Sequence, residues 1–348
     1  MQPAKLDPTP LFDLFRGNYA TELLTSAVAH FDVFGTLADG PIGFEAFCEE
    51  LGLASRPANV LVTALRAMGL IAVNKAGQLK ATELGSTFLV PAVGHDIGGY
   101  LGLAAKSPGV VEMVERLRTN RPANAEEGEP GAAFIFREGL ASAMELEVEA
   151  RTLTLALAGR ARNVAPVLAD VYPLDGVSTL LDVAGGSGLY GIAWLLRHPD
   201  LRVILWDRPE VLKVAAELAA EHGVADRLDL VAGDMFSDPV PAGADAILLS
   251  NVLHDWDVPE CRMLVNKCAE ALGPGGRLLI HDVFLDDDQG GPLPIALYSA
   301  ALFTTTEGRA YSRAEYAGWL TDAGLEPAQS VATRVHCGVL PATKSGAA

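Results

Sequence analysis

The sequence has few basic residues, few cysteines and no long apolar run. It contains 26 Lys and Arg against 44 Asp and Glu, which gives a formal net charge of −18. Because a surface of that sign repels phosphate backbones and anionic headgroups, neither nucleic acid nor a membrane is expected as a partner. No apolar stretch approaches the ~20 residues that a membrane-spanning helix requires.

The four cysteines are too widely scattered to indicate disulfides or a zinc finger. Cys261 and Cys268 are the nearest pair, two helical turns apart, which is not a metal-finger spacing. Residues 1–10 are polar and rich in proline, without the charged and then apolar segments of a signal peptide. These observations predict a protein of the reducing cytoplasm.

The length of 348 residues predicts two domains, and the pattern of apolar residues changes near residue 173. Before that point, apolar spacing and Gly and Pro punctuation predict helices and a small hairpin. The predicted helices cover 11–38, 44–51, 55–68, 132–145 and 146–170, and the hairpin joins 70–73 to 78–82. We therefore predict a winged-helix domain over 1–118 and connecting helices over 119–172.

A winged helix often binds DNA, but the basic footprint of a DNA reader is missing here. The segment in the recognition position carries only Arg56 and Arg66, and the preceding helix is acidic at Glu45, Glu49 and Glu50. A structural or dimerising module is the better interpretation, since fold alone does not fix function. A winged-helix regulator that senses a metabolite remains an alternative.

Residues 173–348 alternate short apolar strands with helices, which is typical of an α/β fold with a doubly wound parallel sheet. Strands are predicted at 178–184, 201–206, 227–232, 244–250 and 276–284. The tail after Leu340 is expected to be loose. Because such sheets bind ligands at the carboxyl ends of their strands, the residues that follow each strand are the candidates for a site.

A glycine-rich turn follows the first of these strands. Gly186, Gly188 and Gly191 form a G-x-G-x-x-G pattern, in which the missing Cβ atoms let a ligand approach the backbone. With Asp207 at the end of the next strand to bind ribose hydroxyls, the pattern fits an NAD-dependent dehydrogenase. On its own, however, the turn marks several families of nucleotide-cofactor enzymes.

Three further features favour a different cofactor. Asp182 stands just before the glycines, where a carboxylate suits a cationic methionyl cofactor better than a pyrophosphate. The third strand ends in Asp234, Met235 and Phe236, which can hydrogen-bond an adenine amino group and cover its ring. The fourth strand leads to His254, which places an imidazole in the crevice where open α/β folds bind ligands.

Taken in order, the segments DVAGGSG, WDRPEV, GDMF, NVLHDWD and GPGGRLLIHDVF resemble the small-molecule O-methyltransferases of plant phenolic and bacterial polyketide pathways. The resemblance covers nearly the whole chain. It implies a Rossmann-like class I methyltransferase sheet over 173–348 and a mainly α-helical winged-helix N-terminal domain that forms an intertwined homodimer. It also implies S-adenosylmethionine (SAM) as the cofactor and a small-molecule acceptor as the partner.

The predicted SAM site combines this resemblance with the residue chemistry above. The resemblance implies that Gly185 and Gly188 line the methionine part of the cofactor and that Asp207 holds the ribose. It further implies that Asp234 and Met235 hold the adenine. The full predicted set is Asp182, Gly185, Gly186, Gly188, Asp207, Arg208, Asp234, Met235, Phe236 and Ser250.

His254 matches the catalytic base of the family, and Asp282 takes the position of a glutamate that usually lies beside that base. Imidazole suits the removal of a phenolic proton near neutrality, because its ordinary pKa is about 6.5. We expect a hydrogen bond between Asp282 and His254, direct or through water. The His-Asp dipeptides at 254–255 and 281–282 could also be read as metal ligands. The family works without metal, and none is predicted here.

The sequence departs from the family at a second glutamate that usually flanks the histidine. Ala310 takes its place within 307–312, so the base is expected to be supported from one side only. The acceptor atom therefore stays open, because relatives with this architecture include C-methyltransferases and non-methylating SAM-binding proteins.

An apolar, aromatic pocket between the two halves is predicted to hold the acceptor, since such a lining suits a flat ring system. The predicted pocket residues are Phe134, Met144, Trp256, Phe303 and Tyr311. The predicted reaction is methyl transfer to a hydroxyl of a small aromatic or polyketide-like molecule.

Overall fold

A computed structural model describes residues 1–91, 94–121 and 147–346. Up to residue 121 the described chain is mainly helical. The helices are α1 (Thr9–Arg16), α2 (Asn18–Ala29), α3 (Val33–Ala38), α4 (Phe44–Leu51), α5 (Ser55–Ala67), α6 (Glu83–Phe88), α7 (Gly98–Leu101) and α8 (Pro108–Thr119). The stretch 11–38, predicted as one or two helices, lies within α1 to α3. Gly17 separates the first two, and Asp32 turns the chain with a φ of 45°.

The order helix, helix, hairpin predicted for this part is confirmed. The helix α4 has the predicted bounds, and α5 ends one residue earlier than predicted. The strands β1 (Ile71–Val73) and β2 (Leu79–Ala81) pair antiparallel. Asn74 shapes the turn between them, because its Oδ1 accepts hydrogen bonds from the amides of Ala76 at 2.8 Å and Gln78 at 3.0 Å.

The rest of the described chain alternates strands and helices. The helix α9 (Glu147–Val171) matches the predicted 146–170, whereas the helix predicted at 132–145 lies outside the described residues. Then follow β3 (Thr179–Val183), α10 (Leu189–Leu195), β4 (Arg202–Asp207), α11 (Pro209–Glu221), β5 (Leu228–Ala232), β6 (Ala246–Ser250), α12 (Val258–Ala271), β7 (Arg277–Leu285), α13 (Leu293–Thr305), β8 (Tyr311–Ser312), α14 (Arg313–Asp322), β9 (Leu325–Pro327), β10 (Val331–Ala332) and β11 (Cys337–Lys344).

The main sheet has the order β10-β11-β7-β6-β3-β4-β5. Its five predicted strands, β3 to β7, are confirmed to within two residues and pair in parallel. The chain runs from β3 outward to β5 and then crosses back to β6 on the other side of β3. The crevice at the carboxyl ends of β3 and β6 is therefore the switch point at which open α/β sheets bind ligands.

The prediction of a loose tail after Leu340 is wrong. The strand β11 continues to Lys344 and pairs antiparallel with β7, with Leu340 opposite Ile280. Lys344 anchors its end by donating to the carbonyl of Ala269 at 2.8 Å. Sequence patterning missed this strand because Pro341 lies inside it and because its residues are buried on both faces, so no polar alternation marks it.

The two halves of the chain share a core. Ala300 and Phe303 of α13 lie in the same hydrophobic cluster as buried residues of α2, α3 and α5. Arg56 of α5 donates to the carbonyls of Thr306 at 2.9 Å and Gly308 at 3.0 Å. The helical half is thus packed against the segment that leads from α13 to the carboxyl edge of the sheet.

Candidate active site

The glycine-rich turn after β3 relies on left-handed backbone. Ala184, Gly186 and Gly188 have φ values of 50°, 58° and 72°. The amide of Gly186 donates to Asp207 Oδ2 at 2.8 Å, which ties the turn to the end of β4. A Cβ at Gly185 would lie 2.7 Å from Asp182 Cγ, so only glycine fits over that carboxylate.

Asp182 is completely buried beneath this turn. Neither of its carboxylate oxygens makes a hydrogen bond of good geometry within the described part of the chain. Burial and the nearby charge of Asp207 raise the pKa of Asp182 to about 7, although a contact with the backbone amide of Gly191 partly offsets this rise. A buried carboxylate with so few donors is costly for the folded protein. The group therefore fits a ligand that brings donors or positive charge, as the amino-acid end of SAM does.

The ends of β4 and β5 are joined by an ion pair, with Arg208 Nη2 lying 2.8 Å from Asp234 Oδ2. Asp207 Oδ1 accepts from the amide of Arg208 at 2.7 Å, and Asp234 Oδ1 accepts from the amide of Phe236 at 2.7 Å. Each carboxylate retains acceptor capacity. Both carboxylates therefore fit the hydroxyls and amino group of an adenosine.

Sequence reasoning missed Lys267 of α12, which stabilises the turn after β5. Its Nζ donates to the carbonyls of Met235 at 2.8 Å, Phe236 at 2.9 Å and Asp238 at 2.8 Å. The ring of Phe236 also packs edge-on against Trp256, with 4.6 Å between centroids. The segment predicted to cover the adenine is thus fixed from two sides.

His254 lies on a single turn of 3-10 helix (Leu253–Asp255) that follows β6, and its side chain is buried. The expected hydrogen bond is present and direct: His254 Nδ1 and Asp282 Oδ1 are 2.5 Å apart. Tyr316 donates to the other carboxylate oxygen of Asp282 at 2.9 Å, and the amide of Val283 donates to Oδ1 at 2.7 Å. The orientation of Asp282 is therefore fixed by groups on both of its oxygens.

The charges around His254 favour its protonated form. Burial and the positive charge of Arg160 lower the pKa of His254, but Asp282 and Asp255 outweigh both and raise that pKa above its ordinary value. Burial works against the ionised form of Asp282 too, but His254 keeps the pKa of Asp282 below its usual range. The pair is thus arranged to accept a proton on the imidazole while the carboxylate stays ionised.

The expectation that the base is supported from one side only needs correction. Asp255 Oδ1 lies 3.6 Å from His254 Nε2, so a second carboxylate faces the imidazole on the side opposite Asp282. Ala310, which replaces the family's second glutamate, is buried, and its amide donates to Ser299 Oγ at 3.1 Å. The turn that carries Ala310 still contacts the base segment, because the amide of Glu307 donates to the carbonyl of Asp255 at 3.1 Å.

A network of polar side chains borders His254, and Ser250 is its one member among the site residues predicted from the sequence. Ser250 Oγ lies 2.9 Å from His281 Nδ1, and Asn251 donates to Ser250 Oγ at 3.0 Å. Arg160 of α9 donates to Asn251 Oδ1 at 2.6 Å. Tyr298 of α13 packs edge-on against His254, with 5.6 Å between centroids. No local pattern marks these residues, since the contacts join positions far apart in the sequence.

The predicted pocket residues are placed in different surroundings. Trp256 lies beside Phe236, whereas Phe303 lies in the core of the helical half, where Arg56 Cζ is 4.8 Å from its ring centroid. Tyr311 is buried and donates to the carbonyl of Trp256 at 2.6 Å. Phe134 and Met144 lie outside the described residues.

Residues 1–91, 94–121 and 147–346 can be searched for metal-binding clusters and for membrane-spanning helices. These ranges contain no group of three His, Cys, Asp or Glu side chains arranged to hold a metal ion. They also contain no helix that combines the length and the apolar character needed to cross a membrane.

The sequence matches known proteins over nearly its whole length. The O-methyltransferase domain family matches residues 142–326. A 3-hydroxy-5-methyl-1-naphthoate 3-O-methyltransferase from Streptomyces sahachiroi is 36% identical over 340 residues, which span 94% of this chain and 92% of the relative. The tetracenomycin polyketide synthesis 8-O-methyl transferase from Streptomyces glaucescens is 28% identical, with 93% of each chain covered.

Solved structures agree with this relationship. An O-methyltransferase family 2 protein from Planctomyces limnophilus, in complex with apigenin, is 48% identical and superposes with a TM-score of 0.88 over 99% of this chain and 98% of that chain. Human N-acetylserotonin methyltransferase in complex with SAM has a TM-score of 0.60 at 23% identity and shows the same fold.

The sheet order and the crevice define a SAM-dependent methyltransferase of class I with a Rossmann-like sheet. Within that class, the chain belongs to the O-methyltransferase family. It is an enzyme that uses SAM to methylate an oxygen atom of a small molecule. This assignment replaces the alternatives of an NAD-dependent dehydrogenase and a winged-helix metabolite sensor.

Proposed function

We propose that this enzyme methylates a phenolic hydroxyl of an aromatic, polyketide-like acceptor, with His254 as the general base and Asp282 as the residue that orients it. The observation that carries the proposal is the 2.5 Å contact between His254 Nδ1 and Asp282 Oδ1. The names of the relatives support the acceptor class, since they act on a naphthoate and in tetracenomycin synthesis.

The geometry assigns a separate task to each nitrogen of the imidazole. Nδ1 donates its hydrogen to Asp282, which leaves the lone pair of Nε2 free to take the acceptor's proton. Asp282 and Asp255 then stabilise the imidazolium that forms. The acceptor oxygen attacks as its O–H bond breaks, so negative charge need not build up in the buried crevice.

Asp182, the glycine turn, Asp207 and Asp234 would hold SAM at the carboxyl ends of β3, β4 and β5. The cofactor supplies the electrophilic methyl group and a neutral sulfide leaving group. The oxygens of Asp182 lack well-formed hydrogen bonds and would accept donors or a positive charge from the cofactor, and Asp207 and Asp234 retain acceptor sites for the adenosine. Holding both reactants in one crevice contributes to the rate through proximity and alignment.

The test combines titration with S-adenosylhomocysteine and an assay of methyl uptake by a hydroxynaphthalene. We expect His254→Ala to retain cofactor affinity but to lose about 10²–10⁴-fold in kcat, the usual contribution of a general base. Asp207→Ala should lose the binding itself. His95→Ala, at an exposed histidine, is the matched control. Full activity of His254→Ala would contradict the assigned base, and methyl uptake on carbon would contradict the acceptor atom.

We also propose that two copies associate through the N-terminal helices and that the enzyme works in the cytoplasm. Leu11, Leu14 and Phe15 of α1 expose 70%, 78% and 80% of their surface, which supports a partner on this face.

The four cysteines are free and buried, as expected in a reducing compartment. Helix ends at Thr119 and Val171 support the proposed division at residues 118 and 172. Light scattering that gives a monomer mass would contradict the dimer.

A further inference from the structure

Two arginines from distant parts of the chain contact the ring that packs against His254. Arg16, the last residue of α1, is 5% exposed, and its Cζ lies 3.7 Å from the ring centroid of Tyr298. Arg160 Cζ lies 5.6 Å from the same centroid. The edge of Tyr298 in turn contacts His254 at 5.6 Å between centroids. Two guanidinium groups are therefore held one ring away from the proposed base.

Neither guanidinium forms an ion pair with a carboxylate within the described residues, although the charges of Asp13 and Asp282 act on Arg16 and Arg160 from a distance. Arg160 donates to Asn251 Oδ1 at 2.6 Å and to Cys337 Sγ at 2.9 Å, and its buried Nε has no partner. Burial raises the pKa of Cys337 to about 11, so this thiol is uncharged near neutrality. Arg16 contacts the rings of Phe12 and Tyr298, and its buried Nη1 has no partner.

The arrangement is unfavourable for Arg16 unless an anion completes it. Burial lowers the pKa of Arg16, and the positive charge of Arg160 lowers it further. Arg160 keeps its charge, because groups that include Cys337, Tyr298 and Asp282 raise its pKa in spite of burial. Two cations that repel each other in a buried site, with donors left over, call for a ligand that carries negative charge and several acceptor oxygens. A carboxylate meets both needs, because guanidinium and carboxylate groups match in planar geometry.

We infer that Arg16 and Arg160 form a carboxylate subsite, so that the acceptor is an aromatic hydroxy acid whose ring lies near Tyr298. This inference rests on the proposed function, since it names the substrate class of the same site. Tyr298 separates the two charges from His254, so the acid group and the reacting hydroxyl would occupy different positions on one flat molecule. The subsite would thus select the substrate and align its hydroxyl with Nε2.

The test compares a hydroxynaphthoic acid with its carboxamide, which has the same shape but no charge. The wild type should show a kcat/KM at least tenfold higher for the acid. Arg16→Met and Arg160→Met should each reduce this acid-to-amide ratio towards one, and Arg160→Lys should restore part of it. Arg162→Met, an exposed arginine on the same helix as Arg160, should keep the wild-type ratio.

A second readout is titration of the S-adenosylhomocysteine complex with 1-naphthoic acid, which lacks a hydroxyl and cannot react. Binding that weakens at least tenfold in Arg16→Met and Arg160→Met supports the subsite, even if no tested acceptor is methylated. Equal use of acid and amide by the wild type, or equal losses on both in the variants, would overturn it. Failure of S-adenosylhomocysteine to bind would instead count against the proposed function.

Discussion

Asp182 of β3 and Asp282 of β7 are two aspartates of one sheet, both almost completely buried, with opposite environments. Asp282 accepts hydrogen bonds from His254, Tyr316 and the amide of Val283. Asp182 has no hydrogen bond of good geometry on either oxygen within the described chain, and the backbone amide of Gly191 is the one donor that acts on it. The pKa of Asp282 is accordingly lowered, whereas burial and Asp207 raise that of Asp182 to about 7.

The difference separates two kinds of functional carboxylate. Asp282 is completed by the protein itself and is ready to orient a base before any ligand arrives. Asp182 gains its hydrogen-bond donors only when a ligand binds. The free energy that its buried charge costs in the free protein therefore becomes a source of affinity for a cationic ligand. The same substitution, aspartate to asparagine, should therefore affect catalysis at Asp282 and cofactor binding at Asp182.

The largest effect is expected for Asp282→Asn. The amide group of Asn can donate to Nδ1 and leave the hydrogen on Nε2, which removes the lone pair that takes the acceptor's proton. We expect kcat to fall by about 10²–10⁴-fold. Methyl transfer at saturating SAM measures the fall, and titration with S-adenosylhomocysteine should show unchanged cofactor affinity.

Asp200→Asn, at an exposed aspartate, serves as the control for this substitution. A kcat for Asp282→Asn within about threefold of the wild type would mean that the 2.5 Å contact does not select the tautomer. Loss of cofactor binding would instead show that Asp282 supports the fold of the crevice.

A smaller effect is expected for Asp182→Asn, and its sign differs between the free and the bound protein. Removal of a buried charge that has almost no hydrogen-bond donors should raise the melting temperature of the free protein. Loss of a charge-assisted contact should weaken binding of S-adenosylhomocysteine, which retains the amino group, by about 10–100-fold, equivalent to about 1.4–2.7 kcal/mol. Thermal melting with and without S-adenosylhomocysteine measures both quantities.

The pH dependence of stability adds a second check on Asp182. Its pKa is about 7 in the folded protein against an ordinary value of 3.8, so the folded state holds the proton more tightly. The contribution of Asp182 to stability should therefore fall as pH rises from about 4 to 7, by at most about 4 kcal/mol. Asp182→Asn should remove this decline. An unchanged pH profile in the variant would show that Asp182 is not the group responsible.

Both aspartates could be predicted from sequence because each belongs to a strand beside a recognisable motif. Asp182 precedes the glycines of the turn, and Asp282 lies in the apolar run 276–284 that patterning predicts as a strand. Their contrasting environments could not be predicted. The contact of Asp282 with Tyr316, like that of Arg16 with Tyr298, depends on how distant helices pack on the sheet.

The support around His254 shows the same limit. The replacement by Ala310 indicated that a carboxylate was lost, which is correct for that position in the chain. The sequence could not reveal that Asp255, next to the base, turns its carboxylate towards Nε2, because side-chain direction in a single 3-10 turn has no periodic signal. A site can thus retain two carboxylates around its base while one family position is lost.

The smallest effect is expected for Asp255→Asn, and it concerns pH rather than maximal rate. The charges of Asp282 and Asp255 both raise the pKa of His254, so removal of one should lower it and extend activity to more acidic pH. Since the carboxylate lies 3.6 Å from Nε2, we expect the acidic limb of kcat/KM to move down by about one pH unit or less. The pKa of Asp255 itself is about 6, raised by burial, so its support for the imidazolium declines below that pH. A pH profile of kcat/KM for the wild type and the variant measures this shift. If the acidic limb does not move, Asp282 alone is the carboxylate that raises the pKa of His254.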